Sequence, residues 1–262
     1  MSNLRKLIAG ADLPVTVAHE KWLANNDSAE YSDEAIEFAR KALSQEVGGS
    51  RNRNTMFRSS STGSCERKQV FHAIWAKKRE VLDGKLANIF QTGNMLHLKW
   101  QMAGLTAGWL VEAEVSADRL DMNFGGTLDG IIVDWSGFEF KSINSRGFQQ
   151  VSQFGPKEVH IHQVHAYMVL RPEIDEFSIV YENKDNGEWR EYRVEKDQAV
   201  LNLITENITQ LNKYVANKEL PVIQKGCLEK EGMEYRGCPY RDKCLTTRTF
   251  PTKRRSNFDL GE

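Results

Sequence analysis

Two carboxylates and an amine lie close together in the middle of the 262-residue chain: Asp129, a nine-residue gap, then Glu139-Phe140-Lys141. Residues two apart on a β-strand project from the same face, so Glu139 and Lys141 point together. A hairpin across Ser136-Gly137 brings Asp129, on the preceding strand, near Glu139. Hard divalent cations such as Mg²⁺ are held by one or two carboxylates together with substrate phosphate. Such a cation lowers the pKa of bound water and stabilises charge on a phosphodiester under attack. A lysine beside it can orient or deprotonate that water. The plainer alternative is a strand-surface ion pair between Glu139 and Lys141, with Asp129 in a turn. Ile131, Ile132, Val133, Phe138 and Phe140 weigh against it, because they place these charges in a strand that otherwise reads as buried.

Other reactive side chains flank this segment. His97 follows Gly93-Asn94-Met95-Leu96 on a helical stretch; alone, such a histidine is more often a satisfied surface or core residue than a ligand. Gln163 and Tyr167 are i and i+4 and share a helix face, for which packing of Tyr167 is as good a reason as chemistry. His160, His162 and His165 crowd the same helix, but His160 and His162 do not share a helical face, and they are read as incidental. There are four cysteines, Cys65, Cys227, Cys238 and Cys244, three of them near one end. No signal peptide is legible, so a reducing cytosol is expected, where such thiols suggest a metal site or cluster more than disulfides. The paired C-x₂₋₄-C knuckles of a zinc finger are missing, which makes zinc the weaker metal reading.

These residues need elements to hold them. Ser32 reads as an N-cap, followed by Asp33 and Glu34 and a helical stripe to about Val47. Val70, Phe71, Ile74 and Trp75 mark a second helix, and Leu86 to Met102 a third, closed by Gly104 and Gly108. The period then changes to strands over 109–115, 124–135 and 138–143, with a tight turn at Trp135-Ser136-Gly137. A helix over 156–170, a hairpin across Asp185-Asn186-Gly187 and a long helix from Val200 to Val215 complete the pattern. The expected fold is mixed α/β, a small mixed sheet flanked by helices.

In order and spacing the chain resembles the PD-(D/E)XK nuclease superfamily, in particular its RecB-like exonuclease branch, over roughly residues 58–244. Asp129 with Glu139-Phe140-Lys141 fits the core motif, His97 the histidine on a preceding helix, and Gln163 with Tyr167 the helical Gln-x-x-x-Tyr motif. The resemblance implies Mg²⁺ or Mn²⁺ held by His97, Asp129, Glu139 and the carbonyl of Phe140. It implies a water-activating Lys141, with Gln163 and Tyr167 orienting the substrate side. The cysteine layout, with Arg58-Ser59-Ser60 before Cys65 and Cys238-Pro239-Tyr240-Arg241 behind, is similar to the iron–sulfur members of the superfamily, among them the CRISPR-adaptation exonucleases. There four cysteines hold a [4Fe–4S] cluster that staples the ends of the nuclease domain. One departure concerns Cys227: ten residues separate it from Cys238, where the family keeps that pair much closer.

The resemblance divides the chain into an N-terminal extension (1–57), a nuclease core (58–220) and a cysteine-rich segment with a polar tail (221–262) that packs with Cys65. It implies a DNA exonuclease acting on single strands or duplex ends in phage or bacterial DNA processing, recombination or repair. With 35 Lys and Arg against 36 Asp and Glu, a globally basic nucleic-acid binder is excluded but a locally basic groove is not. Arg51, Arg53, Arg58 and Lys253-Arg254-Arg255 are candidate phosphate contacts or solvated charges, and Phe57, Phe148 and Phe154 candidate base-stacking or core residues. No phosphate-binding Gly-x-x-x-x-Gly-Lys occurs, so unwinding would need a helicase, recombination or CRISPR-adaptation partner. No apolar run approaches the roughly 18 residues that span a bilayer, so no membrane partner is expected. Two other readings remain: a non-catalytic DNA-binding adaptor that keeps the fold, and a zinc-stapled endonuclease.

Overall fold

The computed structural model describes residues 7–8, 14–25, 30–48, 55–74, 84–230 and 235–250. Its strands are β1 (Leu7–Ile8), β2 (Phe57–Arg58), β3 (Leu110–Arg119), β4 (Phe124–Ile132), β5 (Gly137–Ile143), β6 (Glu176–Asn183) and β7 (Trp189–Glu195). They form one mixed sheet in the order β1-β7-β6-β5-β4-β2, with β3 also paired to β4. Strands β3, β4 and β5 meander antiparallel, whereas β5 and β6 are parallel from Gly137↔Phe177 to Ile143↔Asn183. A parallel pair needs a crossover, and α5 (Ser145–Phe154) with α6 (Glu158–Leu170) supplies it. Strands β6 and β7 close the expected hairpin, with Gly187 at φ +80°.

Helices cover both faces. On one, α3 (Glu66–Ile74), α6 and α7 (Gln198–Ala216) share the larger core with residues such as Phe71, Val164, Leu128 and Ile179. On the other, α1 (Pro14–Asn25) and α4 (Gly84–Ala107) bury Val15 and Trp100 against Trp109, Phe138 and Phe140; α2 (Asp33–Gly48) packs on α4. Short helices α8 (Lys225–Leu228) and α9 (Arg241–Thr246) follow α7. The pleat of β5 therefore sends Phe138 and Phe140 into one core, each ring worth roughly 2–3 kcal/mol over exposure, while Glu139 and Lys141 face the other side.

Several elements differ from the sequence pattern. Gly104 does not close α4; it is buried inside it, and a Cβ there would meet Leu110 and the Trp109 ring at 2.7–2.8 Å. Gly108, at φ +75°, is the actual stop. Helix α5 interrupts what reads as loop, started by Asn144, whose Oδ1 accepts from Gly147 N at 2.9 Å. The two-residue strands β1 and β2 are too short to show a period, and α1 lies where no helix is legible. Phe57 is a core residue, Phe148 packs on that core, and Phe154 is exposed. Trp75, Arg51, Arg53 and Lys253-Arg254-Arg255 lie outside the described residues. Among the described residues no helix is long and apolar enough to cross a membrane.

Candidate active site

The site begins where two strands part. Strands β4 and β5 pair only at Gly130↔Phe138 and Ile131↔Gly137, and the ladder stops one step before Asp129 and Glu139 would face each other. A buried backbone N–H left by such a parting needs a partner. Asp129 provides it: its Oδ2 accepts from Phe140 N at 2.7 Å. From α4, His97 Nδ1 approaches the same oxygen at 3.4 Å, and its ring meets Phe140 edge-on at 4.9 Å. One helical turn later Gln101 Nε2 donates to the Asp129 carbonyl at 2.9 Å. The aspartate is thus fixed at both its side chain and its backbone.

Glu139, 1% exposed, lies against α6. Its Oε1 accepts from Lys141 Nζ and, at 2.9 Å, from Gln163 Nε2. The same amide donates to the Tyr167 hydroxyl at 2.8 Å, and its Oε1 accepts from Lys141 Nζ at 3.1 Å. Both amide protons and the carbonyl of Gln163 are therefore used, which fixes the side chain's orientation. Glu139 Oε2 is buried without a hydrogen-bond partner.

Burial and the Asp129 charge push the Glu139 carboxyl up to about 7. Burial also acts on Asp129, but His97, Lys141 and the Phe140 N–H outweigh it and hold that carboxyl below its usual range. Burial would lower His97 and Lys141; the two carboxylates overcome it and raise both. The cleft holds two acids and two bases in mutual compensation, apart from one carboxylate oxygen. Among the described residues no group of three His, Cys, Asp or Glu side chains is already arranged to hold an ion. The unsatisfied buried oxygen beside a second carboxylate and an imidazole is nevertheless the donor chemistry a hard cation takes.

The four cysteines meet elsewhere. Cys65 precedes α3, Cys227 sits on α8, Cys238 in the turn before α9 and Cys244 on α9. All are thiols, and all line one cavity of about 80 Å³ together with Ser64, Lys68 and Tyr240 among others. A water needs roughly 10–15 Å³ by this measure, so the space suits a group of several atoms. Among the described residues no three of these thiols are already gathered closely enough to hold a single metal ion.

No family model matches the sequence, and no curated protein matches it. Solved structures do. The complex of LHK-Exo with dAMP superposes with a TM-score of 0.51 at 17% identity, covering 63% of this chain and 89% of that one. The alkaline exonuclease LHK-Exo from Laribacter hongkongensis, solved separately, gives 0.50 at 17%, covering 61% and 87%. The fold is shared with a nuclease. At this identity the likeness to LHK-Exo is one of fold, a mixed sheet flanked by helices. SSO0001 is a more distant match, with a TM-score of 0.47 at 19% identity and 78% and 93% coverage.

The cleft also holds residues that sequence motifs miss. Ser59 is buried in a 3₁₀ turn after β2 and hydrogen-bonds the Tyr167 hydroxyl. Its Oγ lies so close to β4 that a Cβ on Gly126 would meet it at 2.2 Å and the Tyr167 ring at 2.9 Å. Gly126 inside a strand was the available signal, since glycine there marks a close approach. Gln101 likewise escapes notice because it acts through a backbone carbonyl. His160, beside Lys141, is held down to about 3 by burial and the Lys141 and Lys157 charges, and its Nδ1 lies 2.7 Å from the Tyr181 hydroxyl.

Proposed function

We propose that this chain is a divalent-cation-dependent deoxyribonuclease, an exonuclease by analogy with the neighbour that shares its fold, with an iron–sulfur cluster held by its four cysteines. The observation that carries the catalytic reading is the partnerless buried oxygen of Glu139, set beside Asp129 and His97 in a cleft that also holds Lys141. Asp129, Glu139, His97 and the Phe140 carbonyl would hold Mg²⁺ or Mn²⁺. A bound cation would supply a Lewis acid and a water of lowered pKa.

The chain's own groups do the rest. Gln163 bridges Glu139 and Lys141, and Tyr167 with Ser59 holds the amide in place. Lys141, kept as an ammonium by both carboxylates, orients the attacking water and offsets charge on the scissile phosphate. Attack in line with the leaving oxygen then cleaves the phosphodiester. DNA is the substrate class proposed, and the complex of LHK-Exo with dAMP is consistent with a nucleotide reaching a cleft of this fold. For the cysteines, the support is four thiols around one cavity in a chain with no disulfide among them.

Labelled single- and double-stranded DNA incubated with the protein and Mn²⁺ tests the catalytic reading. Cation-dependent loss of nucleotides from the ends, abolished in Asp129→Ala, is the expected result. An inert wild-type protein, or unchanged cleavage by Asp129→Ala, overturns it. Iron and sulfide in anaerobically purified protein, with broad visible absorption, separates a cluster from colourless zinc.

A further inference from the structure

Arg67 stands two residues after Cys65 and is 5% exposed. Its guanidinium donates to backbone carbonyls, Nη1 to Pro221 and Nη2 to Cys244 and, at 2.6 Å, to Thr247, and it also hydrogen-bonds the Cys244 thiol. Those acceptors bracket the segment that carries Cys227, Cys238 and Cys244. The ring of Phe71 lies 5.3 Å from the guanidinium carbon, and the Cys244 thiol is beside it. Among the described residues no carboxylate pairs with Arg67, and its Nε is buried without a partner. An arginine cannot shed its proton, and a buried charge with no opposite charge is strongly destabilising.

The cavity beside it also carries cationic side chains. Lys68 and Arg241 are among its lining residues, Arg241 lying 3.8 Å from Asp242, and among the described residues no aspartate or glutamate lines it. Arg67 and Lys68 beside the four thiols match a set of thiolates, whose negative charge a bound metal only partly cancels.

We infer that Arg67 is the counter-cation of the thiol cavity: its buried charge balances an anionic metal–thiolate group, and its fork fastens the cysteine-bearing segment to α3. Arg67 is a positioning residue, because it touches backbone and thiol and no substrate. The inference rests on the cluster reading above, and the consequence separable from packing is electrostatic. A fixed positive charge favours the more reduced, more negative state of a cluster, so removing it lowers the reduction potential.

The test uses full-length protein purified without oxygen, as wild type, Arg67→Lys and Arg67→Met. Iron and sulfide per chain, visible absorption and reduction potential are measured on each. Wild type carries iron and sulfide; Arg67→Lys keeps them at a potential near wild type; Arg67→Met either loses them or carries them at a clearly lower potential. Limited proteolysis should cut both variants faster after Pro221, since neither has the fork. Wild-type protein without iron or sulfide sinks the cluster reading itself. Loaded wild type with Arg67→Met loaded at an unchanged potential leaves the cluster standing and overturns the role of Arg67. Loss of iron from both variants reduces Arg67 to a backbone clamp and overturns the charge balance.

Discussion

The carboxylate cleft and the thiol cavity solve opposite problems. In the cleft nearly every polar group already has a partner: Asp129 takes the Phe140 N–H, Gln163 spans Glu139 and Lys141, and Tyr167 and Ser59 back the amide. The thiol cavity instead joins two distant parts of the chain, Cys65 before α3 and the segment of α8 and α9 that carries Cys227, Cys238 and Cys244. The cleft is built on strands and two long helices and can exist before any cation arrives, as preorganised electrostatic catalysis requires. The segment around the cavity is held by fewer elements, short α8 and α9 with Tyr240 and Cys244 packed on the larger core, so a group bound by the cysteines would add to its stability. Disturbing the cleft should change chemistry and leave the fold intact; disturbing the cavity should change stability first.

Asp129→Ala is the sharpest way to break that contrast. It removes a proposed cation ligand and the acceptor for Phe140 N, so cleavage should fall by about 10³-fold or more, with iron content unchanged. Measured together, DNA cleavage and visible absorption check it; absorption lost along with activity would mean the two regions are not independent. Cys244→Ala makes the converse cut. A cross-link closing so long a loop is worth on the order of 3–5 kcal/mol if it behaves as loop-closing disulfides do. Thermal unfolding should show that loss and absorption should disappear. A melting temperature equal to wild type would remove the staple.

The same contrast explains what could be read beforehand. Asp129, Glu139 and Lys141 were legible because a strand has period two and a tight turn joins β4 to β5, both local facts. Gln163 and Tyr167 were legible as a helix pair. Ser59 was not: its partner is on α6, far along the chain, and nothing local marks it beyond Gly126 on the strand it abuts. Helix α5 was hidden by Gly147 and a run of Ser and Gln that blurs the apolar stripe, although Asn144 caps it. Gly104 misled because a glycine can end a helix or let a strand approach one, and only packing against Trp109 and Leu110 distinguishes them. The four cysteines indicated a metal site by type and number; that their segments meet around one cavity is a tertiary fact.

Acidity offers a graded probe of the cleft. A cation must displace protons from Glu139, which is raised to about 7, and from His97, which is raised above its usual value. Mn²⁺ affinity should therefore be weak at pH 5, climb as pH rises through neutrality, and level off above both values, by up to tenfold per pH unit for each proton released. Mn²⁺ titration by calorimetry across that range checks the sign, and affinity independent of pH would mean that neither group is a ligand. Gln163→Ala should then lower cleavage by about 10–100-fold, as loss of a residue orienting a ligand does. A loss no larger than that of a distant surface variant would leave Gln163 to packing.

The smallest effect is the most discriminating. Ser59→Ala removes one hydrogen bond to Tyr167, worth about 1 kcal/mol, and so should slow cleavage by about fivefold. The methyl group of alanine fits where the serine side chain lay against Gly126, so stability should fall by no more than about 1 kcal/mol. Tyr167→Phe should have an effect of similar size, and the double variant should be no slower than the worse single one, because both cut the same chain to Gln163. Additive losses would mean that Ser59 and Tyr167 act separately, and that Gln163 is held by Lys141 and Glu139 alone.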